Sequence, residues 1–119
     1  MILAITAAED NLSSPVDMRF GRAKGFILYN TDTLVHTFKE NTINNNAIQG
    51  AGIQTSKAVI DYNASVLITG NVGPKAFSVL KQSDVSIMLV KEITIQEAID
   101  LYYSGKLKAI ENPNVEGHW

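Results

Sequence analysis

Three short apolar runs constrain this chain most: "ILAIT" (residues 2–6), "SVLIT" (65–69) and "SIMLV" (86–90). None alternates apolar with polar, so each reads as a strand covered on both faces. The stretches between the second and third runs, and after the third, carry apolar residues at helical spacing instead. Buried strands separated by helices predict a parallel sheet core with crossover helices.

The helical patterns have their own punctuation. Ala51, Thr55, Ala58, Val59 and Tyr62 share one face of a first helix. Pro74 suits the first turn of a second helix, where a missing N–H costs nothing, and Ala76, Phe77 and Leu80 form its apolar face. The third helix is the best marked. Thr94 and Glu97 make a capping box, Ile93 and Ala98 are placed as a staple, and Gly105 is a natural stop. Its stripe is Ile95, Ala98, Ile99 and Tyr102. "GFILYN" and "LVHTFKEN" flank the polar turn Thr31-Asp32-Thr33, which predicts an antiparallel hairpin after the first strand. The order is therefore β-β-β-α-β-α-β-α, an α/β mixed five-stranded sheet whose second strand is antiparallel, with three helices on both faces. Residues 1–111 read as a single domain and 112–119, without periodicity, as a C-terminal tail.

This topology brings three loops to one end of the sheet. The long loop 7–24 leaves from the carboxyl end of the first strand. The asparagine-rich loop 41–52 follows the third strand and opens the first helix. Gly70 to Lys75 follows the fourth strand and opens the second helix. Open α/β sheets bind ligands in such a crevice. Free N–H groups and the helix dipole at the helix starts favour an anion. Arg19 and Arg22 are the only arginines and share the first loop, with Lys24 close behind and Lys75 on another loop. A chain of formal net charge -2 thus carries one local basic cleft. The alternative is that Arg19 and Arg22 are structural partners of Asp10 or Asp17. For Gly50 and Gly52, close packing at a helix start stands beside ligand contact.

Composition narrows the chemistry. With 45% hydrophobic and 18% charged residues the chain is ordinary globular protein. Its charge calls for no nucleic-acid partner. No apolar run reaches membrane length and no basic segment precedes "ILAIT", which predicts a cytoplasmic protein without a signal peptide. Cysteine is absent, which removes thiolate ligands and cysteine nucleophiles. "GNVGPKA" is not a P-loop: Gly70 and Gly73 are too close, Pro74 follows, and no Ser or Thr follows Lys75. "GAGIQTS" lacks the third glycine of a dinucleotide fingerprint. The sheet order resembles ribonuclease-H-like folds, but the central runs hold no acid for two-metal chemistry. No serine elbow is present. His36 lies inside a strand, and His118 sits in the tail, where a mobile imidazole could ligate a metal.

"DMRFGRAKGFILYN", "GAGIQTSKAVIDYNASVLITGNVGPKAFSVL" and "GKLKAI" together resemble the dinitrogenase iron–molybdenum cofactor biosynthesis family, from Met1 to about Ile110. The resemblance implies a ribonuclease-H-like motif and a non-catalytic role: binding or carrying an iron–sulfur or iron–molybdenum cluster or its precursor. The family's loop signature falls on Asp17, Arg19, Phe20, Gly21 and Arg22, its helix start on Gly50 and Gly52, and its second loop on Gly70, Asn71 and Gly73. Many members carry a histidine where this chain has Gln49.

Two functional expectations follow. In the first, a carrier holds an anionic metal–sulfur cluster, with Arg19, Phe20, Gly21, Arg22, Gln49, Gly50, Gly52, Gly70, Asn71, Gly73 and Lys75 forming the crevice and His118 closing over it. In the second, a metal-free regulatory or interaction module docks on cluster-assembly proteins or senses a small anion. Neither is an enzyme.

Overall fold

The computed structural model describes residues 1–42 and 51–116. In chain order the elements are β1 (Ile2–Ala7), β2 (Gly25–Asn30), β3 (His36–Glu40), α1 (Ala51–Asp61), β4 (Ala64–Thr69), α2 (Pro74–Gln82), β5 (Ser86–Leu89) and α3 (Ile95–Tyr103). The sheet order is β3-β2-β1-β4-β5. β2 is antiparallel to both of its neighbours, while β1, β4 and β5 run parallel. This is the mixed α/β sheet that the apolar runs predict.

The crossovers explain the layers. The chain moves from β3 to β4 through α1 and from β4 to β5 through α2, in the same direction across the sheet. Right-handed crossovers then put both helices on one face. Phe20, Phe26, Val59, Leu67, Val72, Ala76 and Leu80 are buried together on that face. The other face packs Leu3, Ile5, Ile27, Val66 and Ile68 against Ile95, Ala98 and Ile99 of α3. Residues that alternate along β1 thus fall into two cores, as the strand's period of two requires.

Local details depart from the sequence pattern at two places. β3 starts at His36, not Leu34, because Leu34 takes a left-handed φ of 63° as the turn closes. The Asn30 carboxamide accepts from the amides of Asp32 (2.8 Å) and Thr33 (3.2 Å), which fixes that turn. On α1 the buried positions are Thr55, Ser56 and Val59, with Ala58 half-buried. The helix ends at Asp61, so Tyr62 packs from just beyond it, edge-on to Phe26.

The α3 start is built as predicted. The Thr94 hydroxyl accepts from Glu97 N (3.1 Å), and the Glu97 carboxylate accepts from Thr94 N (3.1 Å). After α3, Gly105 turns the chain with φ 72°. The chain then returns along β5, where Ile110 N donates to Ile87 O at 2.8 Å. Among the described residues, no helix is long and apolar enough to cross a membrane.

Candidate functional site

The carboxyl ends of β1 and β4 lie side by side, and the loops that leave them are stitched together there. The buried Thr6 hydroxyl donates to Asp17 O (2.6 Å) and lies 2.9 Å from the Thr69 hydroxyl. Asp17 N donates to Thr6 O (2.8 Å). One step outward, Asn71 Nδ2 donates to Met18 O (2.9 Å) and Phe20 N to Asn71 O (3.3 Å), so Arg19 and Asn71 form a parallel bridge. The segments "DMRFGRA" and "GNVG" are therefore in direct contact.

The third loop joins through Asn41. Its amide N–H donates to Lys24 O (2.7 Å), and its Nδ2 donates to Ala23 O (3.0 Å) and Thr55 Oγ1 (3.4 Å). This carboxamide, 4% exposed, ties the end of the first loop to α1. Its Oδ1 is a buried acceptor without a hydrogen-bond partner among the described residues. The starts of α1 and α2 are also adjacent. A Cβ on Gly52 would sit 3.3 Å from Ala76 Cβ, and the Ser56 hydroxyl donates to Gly52 O (2.6 Å) while lying 3.4 Å from Ala76 O.

The glycines do different work from one another. α1 begins at Ala51, so Gly52 belongs to the first turn of the helix and makes room for α2. A Cβ on Gly70 would meet Met18, at 2.5 Å from Cε and 2.8 Å from Cα. The close approach at Gly70 is thus made by the neighbouring loop. Gly73 is the N-cap of α2 in extended conformation, and Gly21 and Gly73 are buried.

Electrostatics separate the three helix starts. The α3 start is filled: beside its capping box, Ile95 N donates to Ser14 O and Gln96 N to Leu12 O, both at 2.9 Å. Among the described residues no side chain caps α2, which has Pro74 at its start and no acid in its first turn. Its first N–H groups are those a helix leaves without intrahelical partners. α1 also lacks an acid in its first turn. Lys75 stands exposed in the first turn of α2, where its charge adds to the positive end of the dipole rather than opposing it.

Arg19 is exposed, and among the described residues it makes no ion pair with a carboxylate. Asp17 instead accepts from Arg19's backbone N–H (3.1 Å), and Asp10 lies 3.6 Å from His36 Nε2. Arg22 is half-buried and engaged in an interaction of its own. The structure thus brings together Arg19, Phe20, Gly21, Arg22, Gly52, Gly70, Asn71, Gly73 and Lys75 on three adjoining segments, with the Phe20 ring directed into the core. Gln49, Gly50 and His118 lie outside the described residues.

The donors here are guanidinium, ammonium and backbone N–H. Among the described residues no group of three or more His, Asp or Glu could hold a metal ion, and the chain has no cysteine. These donors can hold an anion by charge and hydrogen bonds. Sequence reasoning missed Thr6, Met18, Asn41, Thr69 and Asn114, which position these loops. The Asn114 side chain reaches Val72 N at 2.8 Å and Asn71 Oδ1 at 2.9 Å.

Comparison with known proteins supplies the kinship. The family described as dinitrogenase iron-molybdenum cofactor matches residues 1–105. The apo form of the orange protein from Desulfovibrio gigas is similar at a TM-score of 0.92 and 32% identity, covering 96% of each chain. A Thermotoga protein described as NifB-like is similar at a TM-score of 0.83 and 34% identity, covering 98% of each chain. An uncharacterised protein of Methanocaldococcus jannaschii is 30% identical over 106 residues, 87% of this chain and 86% of its own. With the matched segment spanning every strand and helix described above, the chain belongs to the dinitrogenase iron–molybdenum cofactor family.

Proposed function

We propose that this chain is a non-catalytic carrier for an anionic iron–sulfur or iron–molybdenum type cluster, or its precursor, held in the crevice where the three loops meet. The cluster is cargo, not a resident cofactor. One observation carries the reading: the acid-free start of α2, which no described side chain caps, adjoins the Arg19 loop, with Lys75 adding positive charge where a helix start ordinarily favours an acid. Family membership and the likeness to the orange protein and a NifB-like protein support a small cluster-associated protein. The donor set supports outer-sphere holding of a sulfide-rich anion, because arginine and amide N–H groups donate to sulfide without displacing it from the metal.

Anaerobic titration with tetrathiomolybdate, a soluble molybdenum sulfide dianion, tests the proposal. Wild-type protein is expected to bind near one equivalent, and an Arg19→Ala/Arg22→Ala double variant to bind roughly tenfold more weakly or worse, since two charges are lost. Equal affinity of the two proteins would remove the arginine cradle. Absence of binding, combined with purification of the protein free of metal from anaerobic cells, would favour an interaction module docking on cluster-assembly proteins instead.

A further inference from the structure

The C-terminal segment carries a role that the sequence leaves blank. The family match ends at residue 105, and the chain beyond it turns back at Gly105 and crosses the outer edge of the sheet antiparallel to β5. Ala109 bridges Met88 of β5, and Ile110 N donates to Ile87 O at 2.8 Å. Farther along this strap, Asn114 docks on the loop between β4 and α2. Its Oδ1 accepts from Val72 N at 2.8 Å, and its backbone N–H donates to Val72 O at 3.3 Å. Its Nδ2 donates to Asn71 Oδ1 at 2.9 Å and to Gly70 O at 3.4 Å.

Both backbone groups of Val72 are thus taken by one residue from 42 positions away. The Val72 side chain is buried against α2, and the next residue, Gly73, is the N-cap and has no side chain of its own to cap with. A helix start without its own cap side chain takes its aim from the residues that lead into it. Asn71, held by the same carboxamide, is the residue that bridges to Arg19.

We propose that Asn114 is a positioning residue for the anion crevice: the strap formed by residues 106–116 holds Gly70 to Gly73 so that the α2 start faces the Arg19 loop. The choice of a carboxamide follows from its chemistry. One end must accept from Val72 N–H and the other must donate to a carbonyl and a carboxamide oxygen, and asparagine does both without charge. Aspartate would keep the first contact, lose the second and place a negative charge one residue from the N-cap. The binding half of this inference rests on the carrier reading above; the loop-holding half stands without it.

Amide hydrogen exchange and tetrathiomolybdate titration of full-length wild type, Asn114→Ala and Asn114→Asp test both halves. In Asn114→Ala, exchange at Val72 should quicken roughly tenfold, the loss of about one hydrogen bond, while the central strand amide of Leu67 is unchanged. In Asn114→Asp, Val72 should stay within about threefold of wild type because the acceptor remains. Affinity for tetrathiomolybdate should fall several-fold in Asn114→Ala and further in Asn114→Asp, where charge repulsion is added. Wild-type exchange at Val72 in Asn114→Ala would overturn the proposal. Faster exchange with undiminished affinity in both variants would reduce Asn114 to an anchor for the tail. Should wild type itself fail to bind tetrathiomolybdate, the carrier reading fails, and Val72 exchange alone still decides whether Asn114 holds the loop.

Discussion

Gly70 is where packing leaves the fewest options. A methyl group there would lie 2.6 Å from Met18 Sδ and 2.8 Å from Met18 Cα. The thioether can swing aside, but the Cα is fixed by the bonds that tie Asp17 and Asn71 to their neighbours. Gly70→Ala is therefore expected to destabilise the protein by about 1–3 kcal/mol, the usual cost of overpacking. Urea unfolding measures it. Gly52→Ala is the control, because among the described residues its Cβ meets only Ala76 Cβ at 3.3 Å and the helix gains propensity, so its net cost should stay below about 1 kcal/mol. Comparable stability of Gly70→Ala and wild type would contradict the packing of the first loop over the second. The sequence marks Gly70 as special, since a glycine after a buried strand signals close approach. It does not say what approaches. Met18 lies 52 positions upstream, and no local pattern encodes that contact. Asn114 and Asn41 are hidden for the same reason: a lone asparagine in a polar segment looks alike whether it points to solvent or bridges two loops.

Elements whose determinants lie within a few residues were legible. The capping box of α3 needs only Thr94 and Glu97, and the buried strands announce themselves by lacking alternation. Contacts between elements were not. Tyr29 on β2 packs edge-on to Tyr103 at the end of α3, with ring centroids 6.3 Å apart, and Tyr102 lies 5.8 Å from Tyr103. Hydrogen bonding with Tyr29 raises the Tyr103 phenol above its ordinary value of 10.0. The folded state thus favours the neutral phenol. Its contribution to stability is fully present below the unfolded value near pH 10 and is lost as pH rises through the higher folded value. Tyr103→Phe should remove this component. Chemical denaturation from pH 9 upward is expected to show a shallower alkaline decline in Tyr103→Phe than in wild type. Identical slopes would mean that the pair does not couple α3 to β2 through the phenols.

At the scale of the whole molecule, the topology and the charge asymmetry argue together. The strand order follows from which runs are apolar throughout, and it sends the three loops to one end of the sheet. There the chain places cations on segments separated by more than 50 residues, although its net charge is -2. At α2 the arrangement works against folding: Lys75 occupies a first turn that has no acid, where the helix dipole favours one. A position selected for stability alone would carry the opposite sign. Lys75→Glu separates the two demands. In ligand-free protein the reversal should raise stability by about 0.3–1 kcal/mol at low ionic strength, an effect that salt screens. Binding of tetrathiomolybdate should weaken at the same time, by roughly tenfold, because a cation facing the anion becomes a repelling carboxylate. Urea unfolding and anaerobic titration at two salt concentrations read the two effects on one preparation. Stability and affinity moving in opposite directions, both shrinking with salt, is the signature of a helix start kept electropositive for a ligand. A gain in stability with unchanged affinity would place the ligand elsewhere on the protein, and a loss of stability would mean that Lys75 has a structural partner at the α2 start.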